Sequence, residues 1–193
     1  MLVRHGQTEW TISGRHTGRT DVPLTDVGRL QAEHLREPLA MRQFEQVLSS
    51  PRRRAADTCR LAGYADVVVR SDDLAEWDYG EYEGLTTAEI REAIPGWTLW
   101  RDGVPGGETA SDVAARADRV IEGVRDGTGD ALVFSHGHFL RVLAARWLGL
   151  PPEAGRLLAL GPASVSIVGW EREQPVITEW NRLVNRSSTA NDQ

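Results

Sequence analysis

The sequence predicts an α/β fold on a central, mostly parallel sheet, and three observations lead there. Short apolar runs of strand length alternate along the chain with segments of helical periodicity. Two of those runs, Leu2-Val3 and Leu132-Val133-Phe134, lead into a histidine followed by glycine. The 193 residues contain no repeat, low-complexity stretch or domain linker. One domain over residues 1–186 is therefore expected, with a flexible tail at 187–193.

The elements follow in order. Leu2-Val3 is the end of a first strand, so close to the chain start that a longer natural N-terminus is left open. Thr25 can N-cap a helix running to about residue 41, with Val27, Leu30, Leu35 and Leu39 at roughly helical spacing. Residues 47–49 read as a second, buried strand. A helix follows at once, with Pro51 in its first turn, and residues 54–62 lie in it. Residues 67–69 give a third strand, and Thr86 with Glu89 forms a capping box opening a short helix. An amphipathic helix covers 111–125. A fourth strand covers 131–134, and a helix at 139–148 is closed by Gly149 and Pro151. Residues 164–170 and 176–180 read as late strands able to form a hairpin.

Composition narrows the function classes. All 22 basic residues are arginine, and there is no lysine. A P-loop lacks its phosphate-binding lysine here, and Schiff-base chemistry lacks its amine. The remaining cations are planar forks suited to phosphate or carboxylate. The 28 acidic residues give a net charge of −6, which disfavours a nucleic-acid binder. No apolar run approaches a membrane span, and no signal peptide precedes the first strand, so no membrane partner is expected. The single cysteine, Cys59, excludes an internal disulfide framework and fits a reducing cytoplasm. It reads as a small packed side chain in the 54–62 helix. A homodimer is left open.

Four segments carry chemistry. Arg4-His5-Gly6 and Ser135-His136-Gly137 each place a histidine just past an apolar strand. Sites in open α/β sheets form at the carboxyl ends of strands, so both histidines can converge there. Ser50-Pro51-Arg52-Arg53-Arg54 puts arginines at a helix N-terminus, where an anion would offset the unfavourable dipole. One of the three suits a buried, site-facing role. The stretch 74–84, with Glu76, Trp77, Asp78, Tyr79 and Gly80, is dense in carboxylates and aromatics and reads as a functional loop. One of its acids, partly desolvated by Trp77 or Tyr79, can serve as a general acid. A metal held by His136, His138, Glu76 and Asp78 is disfavoured, because the neighbouring arginines would repel a cation.

Arg4-His5-Gly6, Ser50-Pro51 with Arg54-Ala55, Glu76 with Gly80, and Ser135-His136-Gly137 together resemble the histidine phosphatase superfamily, also called phosphoglycerate mutase-like. The motifs occur in family order from residue 2 to about residue 145. Leu24-Thr25-Asp26 with Gly28, and Gly106-Gly107-Glu108-Thr109, also resemble family connecting segments. The resemblance implies a three-layer α/β/α sandwich, no cofactor and no metal. It implies His5 as the nucleophile that becomes phosphorylated, Arg4, Arg54 and His136 as the phosphate pocket, and Glu76 as acid/base. It also implies that Arg15, Thr17 and Gly18 contact phosphate or substrate. Trp77, Tyr79, Gly137 and His138 complete the expected substrate side. The other ring nitrogen of His5 is expected to be held by a backbone carbonyl.

Trp77 stands where mutases of the superfamily have arginine, and Thr11 and His138 replace mutase asparagines, which favours hydrolysis over isomerisation. The stretches 4–25 and 76–85, with Ser135 to Arg141, look most like a subgroup of actinobacterial acid phosphatases and fungal sedoheptulose-1,7-bisphosphatase. A small phosphate ester, sugar phosphates included, is the implied partner. Phosphoglycerate mutase and a non-catalytic phospholigand-binding module are the competing readings. Trp97 and Trp100 either stack on a sugar or anchor a lid. His16 and His138 either meet a second polar group of the substrate or sit on a solvated rim.

Overall fold

A computed structural model describes residues 1–184. The tail expected at 187–193 lies outside the described residues. Six strands form one sheet: β1 (Leu2–Arg4), β2 (Gln46–Ser49), β3 (Val69–Arg70), β4 (Ala131–Ser135), β5 (Ser164–Glu171) and β6 (Gln174–Leu183). Their spatial order is β3-β2-β4-β1-β5-β6. The first four run parallel, and β5 and β6 add an antiparallel hairpin beyond β1.

Among the described residues eight α-helices accompany the sheet: α1 (Glu9–Ser13), α2 (Asp26–His34), α3 (Arg36–Ala40), α4 (Arg53–Leu61), α5 (Thr87–Ala93), α6 (Leu99–Asp102), α7 (Ala110–Arg125) and α8 (Gly137–Trp147). Side chains alternate across a strand, so each central strand feeds two cores. Val3, Val47, Leu132 and Phe134 pack with Leu35, Leu39 and Cys59 of the segments around α2–α4. Leu2 and Val133 pack with Val113, Leu140 and Leu143 of α7 and α8 on the opposite face. Three layers result, as the resemblance implied. All five residues of β4 are buried, as a parallel strand covered on both faces requires. Each fully buried leucine contributes roughly 1.5–3 kcal/mol.

Several boundaries differ from the sequence expectation. The helix expected to run from Thr25 to about 41 breaks at Leu35 into α2 and α3. Pro38 has no N–H for a continuous helix but fits the first turn of a new one, where that N–H lacks an intrahelical acceptor. Val27 and Leu30 are exposed, while Leu35 and Leu39 fill the core. Pro51 precedes α4 rather than lying in its first turn; Arg52 is the N-cap residue, with extended backbone. The third strand is only Val69–Arg70 at the sheet edge, with Val67 and Val69 exposed. The last helix begins at Gly137, two residues earlier than expected.

The register decides where the site lies. Val3 pairs with Phe134, and Ser49 also pairs with Phe134. The carboxyl ends of β1, β4 and β2 are therefore side by side, and they deliver His5, His136 and Ser50 to one edge.

Candidate active site

His5 follows β1 directly, and its N–H donates to Ser135 O at 3.0 Å, extending the parallel ladder. The residue is 4% exposed. Nδ1 lies 2.8 Å from Gly6 O. A carbonyl only accepts, so Nδ1 carries the proton and Nε2 presents its lone pair. Nε2 has no hydrogen-bond partner among the described residues, and His5 lines a cleft of about 360 Å³. Burial first, then Arg54 and Arg4, pushes His5 well below the usual histidine range, against a smaller opposing effect of the Gly6 bond. The ring is neutral at neutral pH. The carbonyl expected to hold it is Gly6 O.

Arg54 and His136 stand behind His5. Arg54 is fully buried, while Arg52 is half-buried and Arg53 exposed. Its Nε donates to His136 Nδ1 at 3.1 Å, Nη1 to Thr20 O at 2.9 Å, and Nη2 to Thr17 O and Gly18 O at 2.8 and 3.1 Å. A guanidinium only donates, so His136 Nδ1 must accept and Nε2 must carry the proton. Nε2 is 2.7 Å from Ser50 Oγ, to which it donates. The two histidine rings meet edge to face at 5.2 Å. Neither Arg54 nor His136 lines the cleft. Four Arg54 donors hold protein acceptors, which leaves one N–H on Nη1.

Arg4 has the opposite character. Its Nη1 donates to Leu160 O, but its Nε is buried without a partner among the described residues. It lines the cleft beside His5. Gly137 permits this placement, since a Cβ there would stand 3.2 Å from Arg4 Cζ. A desolvated, unpartnered guanidinium N–H beside the His5 ring suits an anion.

Glu76 reaches the same cleft from the loop after β3 and is 8% exposed. Its Oε1 accepts from Trp77 N at 2.9 Å and Phe139 N at 2.8 Å, and Oε2 accepts from His138 N at 3.0 Å. Two of these donors are in the first turn of α8, where the N–H groups have no intrahelical acceptor. The carboxyl group is held by three backbone N–H groups. Trp77 is fully buried, with its Nε1 on Glu108 O at 2.8 Å, and it does not line the cleft.

The other expected residues divide between wall and scaffold. Tyr79, Gly137, His138, Thr17 and Arg15 line the cleft, and Gly18 does not. Arg15 Nη1 donates to Gly84 O and to Glu89 at 3.2 Å. Gly18 N–H and Thr20 N–H both bond Glu83, which fastens the 17–20 loop whose carbonyls hold Arg54. Trp97 is 2% exposed and tied by Nε1 to Gly103 O, an anchor, while Trp100 faces His138 at 5.4 Å. Sequence reasoning missed the roles of Glu83 and Thr58. Thr58 Oγ1 accepts from Gly6 N and donates to Arg54 O. Its position four residues after Arg54 was the available signal. Among the described residues, no group of three or more His, Cys, Asp or Glu is placed to hold a metal ion. No helix among them is long and apolar enough to cross a membrane.

The family model of the histidine phosphatase superfamily (branch 1) matches residues 1–183. An acid phosphatase of Mycobacterium tuberculosis is 46% identical over 175 residues, covering 89% of this chain and 86% of that protein. Sedoheptulose 1,7-bisphosphatase of Saccharomyces cerevisiae is 38% identical over 182 residues, covering 78% and 67%. A 2,3-bisphosphoglycerate-dependent phosphoglycerate mutase of Gloeobacter violaceus is 36% identical over 169 residues, covering 79% and 77%. The solved structure of an open reading frame product from Mycobacterium tuberculosis superposes with a TM-score of 0.91 at 42% identity, covering 95% of this chain and 97% of that one.

Proposed function

The chain belongs to the histidine phosphatase superfamily and is a phosphoric monoester hydrolase, and from that premise we propose that it hydrolyses small phosphomonoesters, sugar phosphates among them, through a phosphohistidine on His5. The observation that carries this reading is the pairing of an open His5 Nε2 with the buried, unpartnered Arg4 Nε on one cleft wall. Nε2 attacks phosphorus while Arg4, and the remaining N–H of Arg54, stabilise the equatorial oxygens. Glu76 protonates the leaving alkoxide and then, as carboxylate, takes a proton from the water that cleaves phosphohistidine. His136 and Arg54 orient the nucleophile from behind, and no metal takes part.

A mutase reading draws on the relative from Gloeobacter violaceus. Against it stands Trp77, buried in the core where superfamily mutases carry a cation. A cytoplasmic site of action belongs to the same proposal; the single cysteine supports it.

The test is hydrolysis of p-nitrophenyl phosphate in EDTA, with His5→Ala as control. Turnover is expected to persist in EDTA and to vanish in the variant. Loss in EDTA, or retained turnover in His5→Ala, overturns the mechanism. Isomerisation of 3-phosphoglycerate stimulated by 2,3-bisphosphoglycerate, in place of hydrolysis, supports the mutase.

A further inference from the structure

The cleft holds two histidines that the phosphoryl chemistry does not use. His16 and His138 both line it, with rings 10° from parallel and centroids 6.3 Å apart. Their neighbours decide where the protons sit. His16 Nδ1 is 2.8 Å from Leu85 O, so Nδ1 carries the proton and Nε2 is a bare acceptor. The Tyr79 hydroxyl is 2.6 Å from His138 Nδ1 and has no other partner among the described residues. A buried phenol places its O–H on an acceptor, so Tyr79 donates to Nδ1. The proton of the His138 ring therefore sits on Nε2, which is a donor. Burial keeps His16 and, more strongly, His138 below the usual histidine range, and it keeps the Tyr79 phenol protonated. The pair thus offers one acceptor and one donor, without charge.

That set matches a hydroxyl, which donates and accepts at once. A carboxylate or phosphate oxygen would face the lone pair of His16 with lone pairs of its own. Two hydrogen bonds through one bridging hydroxyl span roughly 5–6 Å, which the ring separation admits. The arginines nearby are already engaged: Arg15 with Gly84 O and Glu89, Arg91 Nε with Trp97 O, and Arg141 Nε with Gly155 O. Trp100, held by Arg141 at 4.7 Å from its ring, gives an apolar face for a carbon skeleton.

We propose that His16 Nε2 and His138 Nε2–H together read a hydroxyl of the leaving alcohol, so that hydroxylated esters are preferred to alkyl esters of similar size. Tyr79 is a positioning residue that fixes the His138 tautomer. The proposal rests on the hydrolase reading and narrows its substrate class.

The experiment compares kcat/KM for glycerol 1-phosphate and propyl phosphate, which differ only in hydroxyls. Leaving polar groups of a binding site unpaired costs about tenfold to a hundredfold, so a preference of that size for the glycerol ester is expected. Tyr79→Phe and His16→Phe should each bring the ratio at least threefold closer to one. General loss of active fold lowers both rates and cancels in the ratio. A wild-type ratio near one overturns this inference alone, whether or not the variants fold. A preference that survives both variants overturns it as well, because other groups then read the hydroxyl. If neither ester is turned over, the hydrolase reading falls and takes this one with it.

Discussion

Replacing Arg54 by lysine keeps the charge and removes the fork. The four N–H bonds of Arg54 go to His136 Nδ1, Thr20 O, Thr17 O and Gly18 O. A lysine ammonium donates from a single point and can reach about two acceptors lying in different directions. At least two buried acceptors are then left unpaired, at about 1–3 kcal/mol each, so roughly 2–6 kcal/mol of stability is lost. The site is fully buried, so water does not make up the difference. At about 2–4 °C per kcal/mol for a chain of this size, the melting temperature falls by roughly 4–24 °C. His136 also loses the donor that fixes its tautomer, and the 17–20 loop loses its tether. Misplacement of that order costs about a hundredfold in kcat/KM. Calorimetry and p-nitrophenyl phosphate turnover measure the two effects. A melting temperature within about 2 °C of wild type together with near-normal turnover would refute the argument that the fork, not the charge, is what Arg54 supplies.

Four further outcomes follow from the same geometry. Glu76→Ala should slow alkyl esters by about 10²–10⁴-fold and p-nitrophenyl phosphate much less, because nitrophenolate leaves without a proton; equal losses on both would remove Glu76 as the acid. Acid should destabilise the fold. Below about pH 6.5 the histidines of the unfolded chain bind protons, while His5, His136 and His138, held well below the usual range by burial, stay neutral until a lower pH. The unfolded state then binds more protons and stability falls as pH falls, by up to about 1.4 kcal/mol per pH unit per histidine; urea midpoints that match at about pH 7 and about pH 5 contradict this. Glu83→Ala frees Gly18 and Thr20 from their anchor and should lower the melting temperature and weaken turnover together, so an effect on neither shows that the loop holds Arg54 unaided. Gly80→Ala places a Cβ 2.1 Å from Pro105 O at a φ of +52°, and soluble variant of wild-type stability would show that the 76–84 loop is not pinned there.

Much of this site was legible because its groups are local to strand ends. An apolar run followed by His-Gly marks both His5 and His136, and the glycine-punctuated acidic loop marks Glu76. The capping box at Thr86 and Glu89 and the helix after it were equally readable from neighbouring residues. The break at Leu35 was less so. The spacing of Val27, Leu30, Leu35 and Leu39 suits one helix, and only packing separates the exposed pair from the buried pair. Trp77 follows Glu76 directly, yet the two side chains diverge into different surroundings.

The sequence by itself determined which chemical groups are present and that they gather at one sheet edge, because strand ends, caps and turns are set within a few residues. The tertiary structure decided what each group is bonded to. Arg54 faces His136 across 82 positions of chain, Glu76 meets the N-terminus of α8 across 63, and Arg4 keeps a buried, unpartnered Nε beside Gly137. Donors and acceptors that distant compete for one another only once the layers have packed. That competition turns one arginine inward to hold a loop and leaves another with an unpartnered N–H.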